Sequence, residues 1–403
     1  MKKLIIWISL WMVAVTVASH AQHIRITRAT GDKISIDLSG MTIGGDEASR
    51  LFLQTLQGNL SRSGWFMLGR AGHSEVRATG RVTLQGDQLV VECTVLDVAK
   101  QRQHMSRSYR LDARNARRLA HRVTDDVVQA VTGYKGIAST KIVFVGVQDE
   151  GKELFICDAD GGDMIQLTAD RSIAVRPRWS PKADAIVYTS YLKRYPDIYH
   201  IELASGKRTI VSNQSGLNAG GVISPDGRDM ALILSRDGNP ELYIRNMATG
   251  RLTRLTQTSA AAEASPSWSP DGRRIVYVSD STGRPHLYII ARDGGSPRRV
   301  TSRGSENVAP DWGPNNRIAF ASRVGGRYQI GMLDPDSQDI AYLEHPDFAD
   351  YEDPSWAPNG RHLVVSRKEN YRSTLYIVDT MGDPQVRLHD HRGDWYSPAW
   401  SPE

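Results

Sequence analysis

Cysteine is almost missing from this chain of 403 residues: only Cys93 and Cys157 occur. Two such distant cysteines cannot supply the ligands of a closed structural zinc site, and they cannot build a dense disulfide framework. Each lies in a strand-like run, and they read as buried free thiols, with an interdomain disulfide as the alternative. Long apolar runs are also missing after Val17, so no later segment is offered as a membrane-spanning helix. No Gly-x-Ser-x-Gly occurs, which removes the nucleophile elbow of α/β hydrolases. A phosphate-cradling glycine loop is missing too. Arg25, Arg28, Arg114, Arg117, Arg118 and Arg122 are not interleaved with aromatics, which argues against a nucleic-acid surface.

What is present begins at the first residues. Lys2 and Lys3 form a basic start, residues 4–17 are apolar, and Ser19-His20-Ala21 supplies small residues at a cleavage site. This is the pattern of a signal peptide over residues 1–21, removed on export. No cysteine follows the site, so a lipid-anchored start is not expected, and the mature chain has no transmembrane segment.

A five-residue phrase then organises most of the chain. It reads Pro177-Arg178-Trp179-Ser180-Pro181, and returns around Trp268, Trp312, Trp356 and Trp400. A degenerate copy, Gly221-Val222-Ile223-Ser224-Pro225, fills the one gap. The interval is about 44 residues, in the range of propeller repeats. A second series keeps step with it: Leu154-Phe155, Ile198-Tyr199, Leu242-Tyr243, Leu287-Tyr288, Ile330-Gly331 and Leu375-Tyr376. With one apolar strand upstream and one downstream, each unit holds four strands, which is one propeller blade. Asp226-Gly227, Asp271-Gly272 and Asn359-Gly360 supply tight turns that need positive φ. The first unit has no phrase before it and the last phrase has no unit after it. The segment 398–402 is therefore expected to dock on the first blade and close a six-bladed ring over residues 137–403. Tryptophans at equivalent positions read as packing between blades rather than as ligand platforms.

Residues 22–136 carry no repeat and an excess of basic side chains, whereas the remainder is mildly acidic. The spacing predicts a helix over 46–62, with Ala48, Phe52, Leu56 and Leu60 on one stripe and Gly64 beyond it. Residues 89–96 alternate as a strand, with Leu89, Val91, Cys93 and Val95 on one face. A second helix follows Asp112, with Ala116, Leu119, Val123, Val127 and Val131 aligned and Gly133 at its end. This is a small N-terminal α/β domain. Two metal candidates are weak: His389-Asp390-His391 lacks a third ligand and reads as a polar loop. Asp347, Asp350, Glu352 and Asp353 lack a calcium-loop spacing and read as a solvated loop. No catalytic residue, metal or cofactor is expected; the chain reads as a non-enzyme.

The order of signal, α/β domain and repeated phrases resembles the TolB family of the Tol-Pal system. The junction is the most specific part: Val131-Thr132-Gly133-Tyr134-Lys135-Gly136-Ile137 running into Lys141-Ile142-Val143-Phe144-Val145. The resemblance implies a periplasmic adaptor that binds a Pal-like peptidoglycan-associated lipoprotein through one propeller face. It further implies engagement of a TolA-like inner-membrane protein by an N-terminal arm, in support of outer-membrane invagination at division and envelope integrity. The Pal-facing loops would lie just before the phrases, at Leu217, Asn218 and Gly220, Ala264 and Ser265, and Glu306 and Asn307. The arm would include His23, Ile24, Arg25 and Ile26. The alternative is an exported propeller that binds glycan or peptide ligands, in a secretion machine.

Overall fold

A computed structural model describes residues 33–148 and 151–403. The expected leader and the arm residues His23, Ile24, Arg25 and Ile26 lie outside the described residues.

The N-terminal part is one five-stranded sheet covered by two helices. In chain order it holds β1 (Ile34–Ile43), α1 (Glu47–Arg62), β2 (Phe66–Leu68), β3 (Val76–Gln85), β4 (Gln88–Asp97), β5 (Arg102–Asp112) and α2 (Ala116–Thr132). The sheet order is β2-β1-β3-β4-β5, with β1 parallel to both its neighbours and the rest antiparallel. Helix α1 starts where Asp46 accepts hydrogen bonds from the Ser49 backbone N–H and hydroxyl, the N-cap arrangement that satisfies an orphan donor. Phe52, Leu56 and Leu60 of the expected stripe are buried, whereas Ala48 only borders the core. On β4, Leu89, Val91, Cys93 and Val95 enter that core, as their alternation requires. Asp112 caps a short 3₁₀ turn that leads into α2, and Gly133, at φ 76°, ends it in the left-handed conformation.

The remainder is a six-bladed β-propeller of four-stranded antiparallel sheets. The strand bearing each Pro-x-Trp phrase is the innermost of its blade, for example Ala174–Trp179 or Glu263–Trp268. Its bulge and proline have a shared cause. In all six innermost strands the pairing register slips by a residue. At the slip sits a residue with positive φ: Arg176, Gly220, Ser265, Ala309, Asp353 or Ser397. Five of these precede the proline of the phrase. An innermost strand is a sheet edge, and a bulge frees one N–H there, so a residue without an N–H costs the ladder nothing. Only Gly220 adopts that conformation without the steric cost of a Cβ, about 1 kcal/mol.

The phrase tryptophans are all buried between blades. The Trp179 indole donates to the Ala399 carbonyl and Trp268 to the Val222 carbonyl, each 2.9 Å away on the preceding innermost strand. Backbone N–H groups of Trp312, Trp356 and Trp400 are met by Ser267, Asp311 and Ser355 of the blade before. At the seam lacking tryptophan, Ile223 joins Met230, Val187 and Ile198, and methionine adapts to such gaps.

The ring closes as its repeats require. Strand Trp395–Trp400 pairs with Lys141–Gln148, from Trp395 opposite Gly146 to Trp400 opposite Ile142. Within blade two, Ser180 donates its N–H to Ala185 O and receives Ala185 N–H on its hydroxyl. Ser401 and Lys141 make the same two bonds, at 2.8 and 3.0 Å, although no chain joins them. The closing strand thus completes a hairpin turn between the two ends of the propeller sequence.

Cys93 and Cys157 are buried and unpaired, as free thiols rather than as a disulfide. Burial pushes the Cys93 thiol up to about 11 and raises Cys157 as well. A thiol-specific chromogenic reagent at pH 8 is therefore expected to label neither cysteine in native protein and both after denaturation. Stoichiometric labelling of the native chain would contradict this burial. Among the described residues no helix is long and apolar enough to cross a membrane.

Candidate partner-binding face

Each blade presents two ends. One carries the turns from first to second strand and from third to fourth. The other carries the hairpins from second to third strand and the crossovers between blades.

The α/β domain covers part of the first end. Its residues meet turns of blades one and six: Arg117 with Asp160 at 2.7 Å, His121 with Asp158 at 3.1 Å, and Lys33 with Asp383 at 2.8 Å. The Arg361 guanidinium lies 4.5 Å above the Trp65 ring, which stacks on Tyr134 at the same spacing. The linker is fastened by Asp125, whose carboxylate accepts from the Ala138 and Ser139 N–H groups.

Among the described residues nothing covers the opposite end, and the crossover loops lie on it. Leu217 is half-buried, with its N–H donated to Ser235 Oγ and its side chain against the core between blades three and four. Gly220 is the bulge residue of blade three, and a Cβ there would come within 3.2 Å of Pro266. Ala264 is exposed, and Ser265 is the half-buried bulge residue of blade four. Glu306 is half-buried; it accepts from the Tyr328 hydroxyl and pairs with Arg323 at 3.1 Å. The Tyr328 bond, ahead of the Arg323 pair, holds its carboxyl below the usual range.

Asn218 and Asn307 behave differently. Both are 0% exposed, and their amides are engaged inside the protein. Asn218 Nδ2 donates to Gln214 O at 2.7 Å, and its Oδ1 accepts from Ser212 Oγ and Gln214 N–H. Asn307 Nδ2 donates to Arg303 O at 2.9 Å while Ser322 Oγ donates to Oδ1. Their place in the molecule is that of loop fasteners beneath the surface.

Three exposed aromatics that the sequence reading did not single out stand on this same end. Tyr195, Phe348 and Tyr371 are 74%, 87% and 96% exposed. Tyr195 and Tyr371 cap long hairpins, with strands of nine and eight residues in blade two and eight and eight in blade six, a length that blade one's hairpin shares. Those of blades three and four have six each. Strand length was the readable signal. Burial pushes the Arg178 guanidinium of blade two down, against the opposing charges of Asp311 and Asp353 from blades five and six.

The metal candidates resolve into ordinary contacts. His389 is not part of a polar loop but of the core: its ring packs 5.5 Å from Phe144 and 5.3 Å from Trp395, and burial lowers its pKa to about 4. The carboxylates at 347, 350 and 353 point to separate partners, Arg367, the Tyr328 N–H and Ser397. Among the described residues, His121, Asp158 and Asp160 do converge, but Arg117 and Lys141 already neutralise them.

Among the described residues, a propeller with one end partly covered by an α/β domain and the other lined by crossover loops defines a two-domain propeller protein. The chain belongs to the TolB family: the family described as the TolB beta propeller domain matches residues 128–403. It is 29% identical over 326 residues to the Tol-Pal system protein TolB of Gluconobacter oxydans, covering 77% of this chain and 71% of that one. Another Tol-Pal system protein TolB, from Desulfosudis oleivorans, is 31% identical over 185 residues; the match spans 46% of this chain and only 42% of that protein. The fold is similar to the crystal structure of TolB from Acinetobacter baumannii, with a TM-score of 0.83 and 26% identity over 94% of this chain and 98% of that one.

Proposed function

We propose that this protein is a non-enzymatic periplasmic adaptor of a Tol-Pal system. It binds a Pal-like outer-membrane lipoprotein through the open loop face and links it to the inner-membrane Tol complex, TolA-like protein included, through its N-terminal arm. Through that link it supports outer-membrane invagination at division and envelope integrity. The observation that carries the reading is the asymmetry of the propeller. One end is occupied by the α/β domain, and the other offers crossover loops and exposed Tyr and Phe side chains, residue types enriched where proteins bind one another.

The test is capture of a purified Pal-like lipoprotein from the same organism, without its lipid anchor. Binding is expected at about micromolar concentration or tighter. Ala264→Arg, which places a bulky charge on the open face, is expected to weaken it at least about tenfold. Arg273→Glu, at the opposite end, is expected to leave it unchanged. No binding at micromolar concentrations, or equal loss in both variants, would sink the reading.

A further inference from the structure

The seam between blades three and four hides two carboxyl groups. Glu241 opens the third strand of blade three and is 0% exposed; Glu263 opens the innermost strand of blade four and is 2% exposed. Glu241 Oε1 is fully engaged, accepting from the Thr258 N–H and hydroxyl, Asn239 Nδ2 and Arg254 Nη2. Glu263 Oε1 accepts from Ser279 Oγ at 3.2 Å. The second oxygen of each, Oε2, is buried and finds no hydrogen-bond partner among the described residues.

The next seam shows how a neutral side chain fills this position. Position 263 corresponds to 307, since Glu263 pairs with Ser279 as Asn307 pairs with Ser322. Position 241 corresponds to 286, because Glu241-Leu242-Tyr243 aligns with His286-Leu287-Tyr288. At that seam Ser322 Oγ bonds Asn307 Oδ1, and the amide nitrogen, a donor, lies 3.0 Å from His286 Nδ1. Ser279 plays the part of Ser322, so the free Oε2 of Glu263 takes the place of an amide N–H₂. A carboxyl can serve there only as a neutral acid, with its O–H as the donor.

We infer that Glu263 is a proton-operated latch: protonated, it bridges to Glu241 and closes the loop of residues 257–262 on the open face, and ionised, it releases that loop. Among the described residues, the groups around it leave no other counter-charge. Asp280, which holds the Ala262 N–H at 2.7 Å, adds a second negative charge, and Tyr277 of the adjacent strand is a neutral phenol raised chiefly by burial. Arg254 is committed to Glu241. Burial first, and Glu241 second, push Glu263 up to about 7. Burial acts the same way on Glu241, but the polar groups set around it, Thr256, Thr258 and Arg254, outweigh it and hold its carboxyl below the usual range, so the proton resides on Glu263.

The sign follows. Below the ordinary carboxyl range both folded and unfolded chains hold this proton. Between that range and about pH 7 only the folded chain does, so its contribution to stability falls as pH rises and is lost above about 7. The latch stands whether or not the open face takes the proposed partner, and its test uses no partner. Hydrogen–deuterium exchange of amides in 257–262, corrected for intrinsic rate, is expected to rise about tenfold between pH 6 and pH 8 in the unaltered protein. Glu263→Gln, which restores an amide donor, is expected to keep the loop protected at both values. Glu241→Gln removes the opposing charge and is expected to flatten the profile by the other route. A flat profile in the unaltered protein, or the same rise in both variants, would overturn the latch.

Discussion

Removing residues 395–403 is expected to unfold the propeller, not merely to fray it. The loss takes away the innermost strand of blade one with two buried tryptophans, Trp395 and Trp400. Each large aromatic removed from a core costs about 3–5 kcal/mol, so two of them together rival the whole stability of a typical domain, about 5–15 kcal/mol. The backbone loss compounds it: strand Lys141–Gln148 would present an unpaired, apolar edge, a template for aggregation. Phe144 and Phe155 would also lose the Trp395 ring, which meets them edge-on at 5.5 and 5.1 Å. The measurements are circular-dichroism melting and size-exclusion chromatography. A truncated chain that stayed monomeric and melted within a few degrees of the intact one would refute the account of closure.

The second large effect is expected at the junction of the two domains. Arg361 is buried with Asp379, its guanidinium bonded to Oδ2 at 2.8 and 2.7 Å. In Arg361→Ala the Asp379 carboxylate keeps the Met381 N–H at 2.6 Å and His362 at 3.5 Å, but no full counter-charge. Burial lowers the His362 pKa to about 4, so that ring is neutral at pH 7. Stranding a buried carboxylate in this way costs about 3–5 kcal/mol. Losing the cation over Trp65 adds about 1 kcal/mol. Arg361→Lys is expected to recover part only, because an ammonium cannot fork across the site. Arg361→Met combined with Asp379→Leu is expected to be far milder than Arg361→Ala alone. Denaturant titration with limited proteolysis of the 133–140 linker reads both stability and docking. Equal stability of Arg361→Ala and the unaltered chain would exclude the role given to this pair.

The propeller was legible because its signal repeats: six copies of one phrase average out what any single copy leaves ambiguous. Both helices were legible for a local reason, since Asp46 and Gly133 mark their ends with side chains or φ values that few other residues supply. Strand β5 was not. Only Met105 and Tyr109 of its eleven residues are buried, and an edge strand rich in arginine carries no alternation to read. The meaning of the proline was hidden as well, because a bulge is a property of pairing, and the partner strand is not written beside it.

The loop face was legible only in outline. The crossovers do gather on the open end, but an asparagine in a loop serves equally as a contact and as a fastener. Asn218 and Asn307 have loop carbonyls at Gln214 and Arg303 to satisfy, and composition cannot reveal that demand. Glu263 was invisible for a related reason. Its significance lies in facing Glu241 across a seam between blades.

The hairpin completed by Ser401 and Lys141 also sets an order of events. Its two halves are separated by 260 residues, so their meeting carries a large loop-closure entropy and belongs among the slow, non-local steps of folding. A chain made and delivered from its N-terminus presents blade one first and can finish it only last. Until then the exposed flank of that blade is a liability that a holding chaperone would have to shield. Ring closure thus works as a built-in check that the entire propeller has arrived.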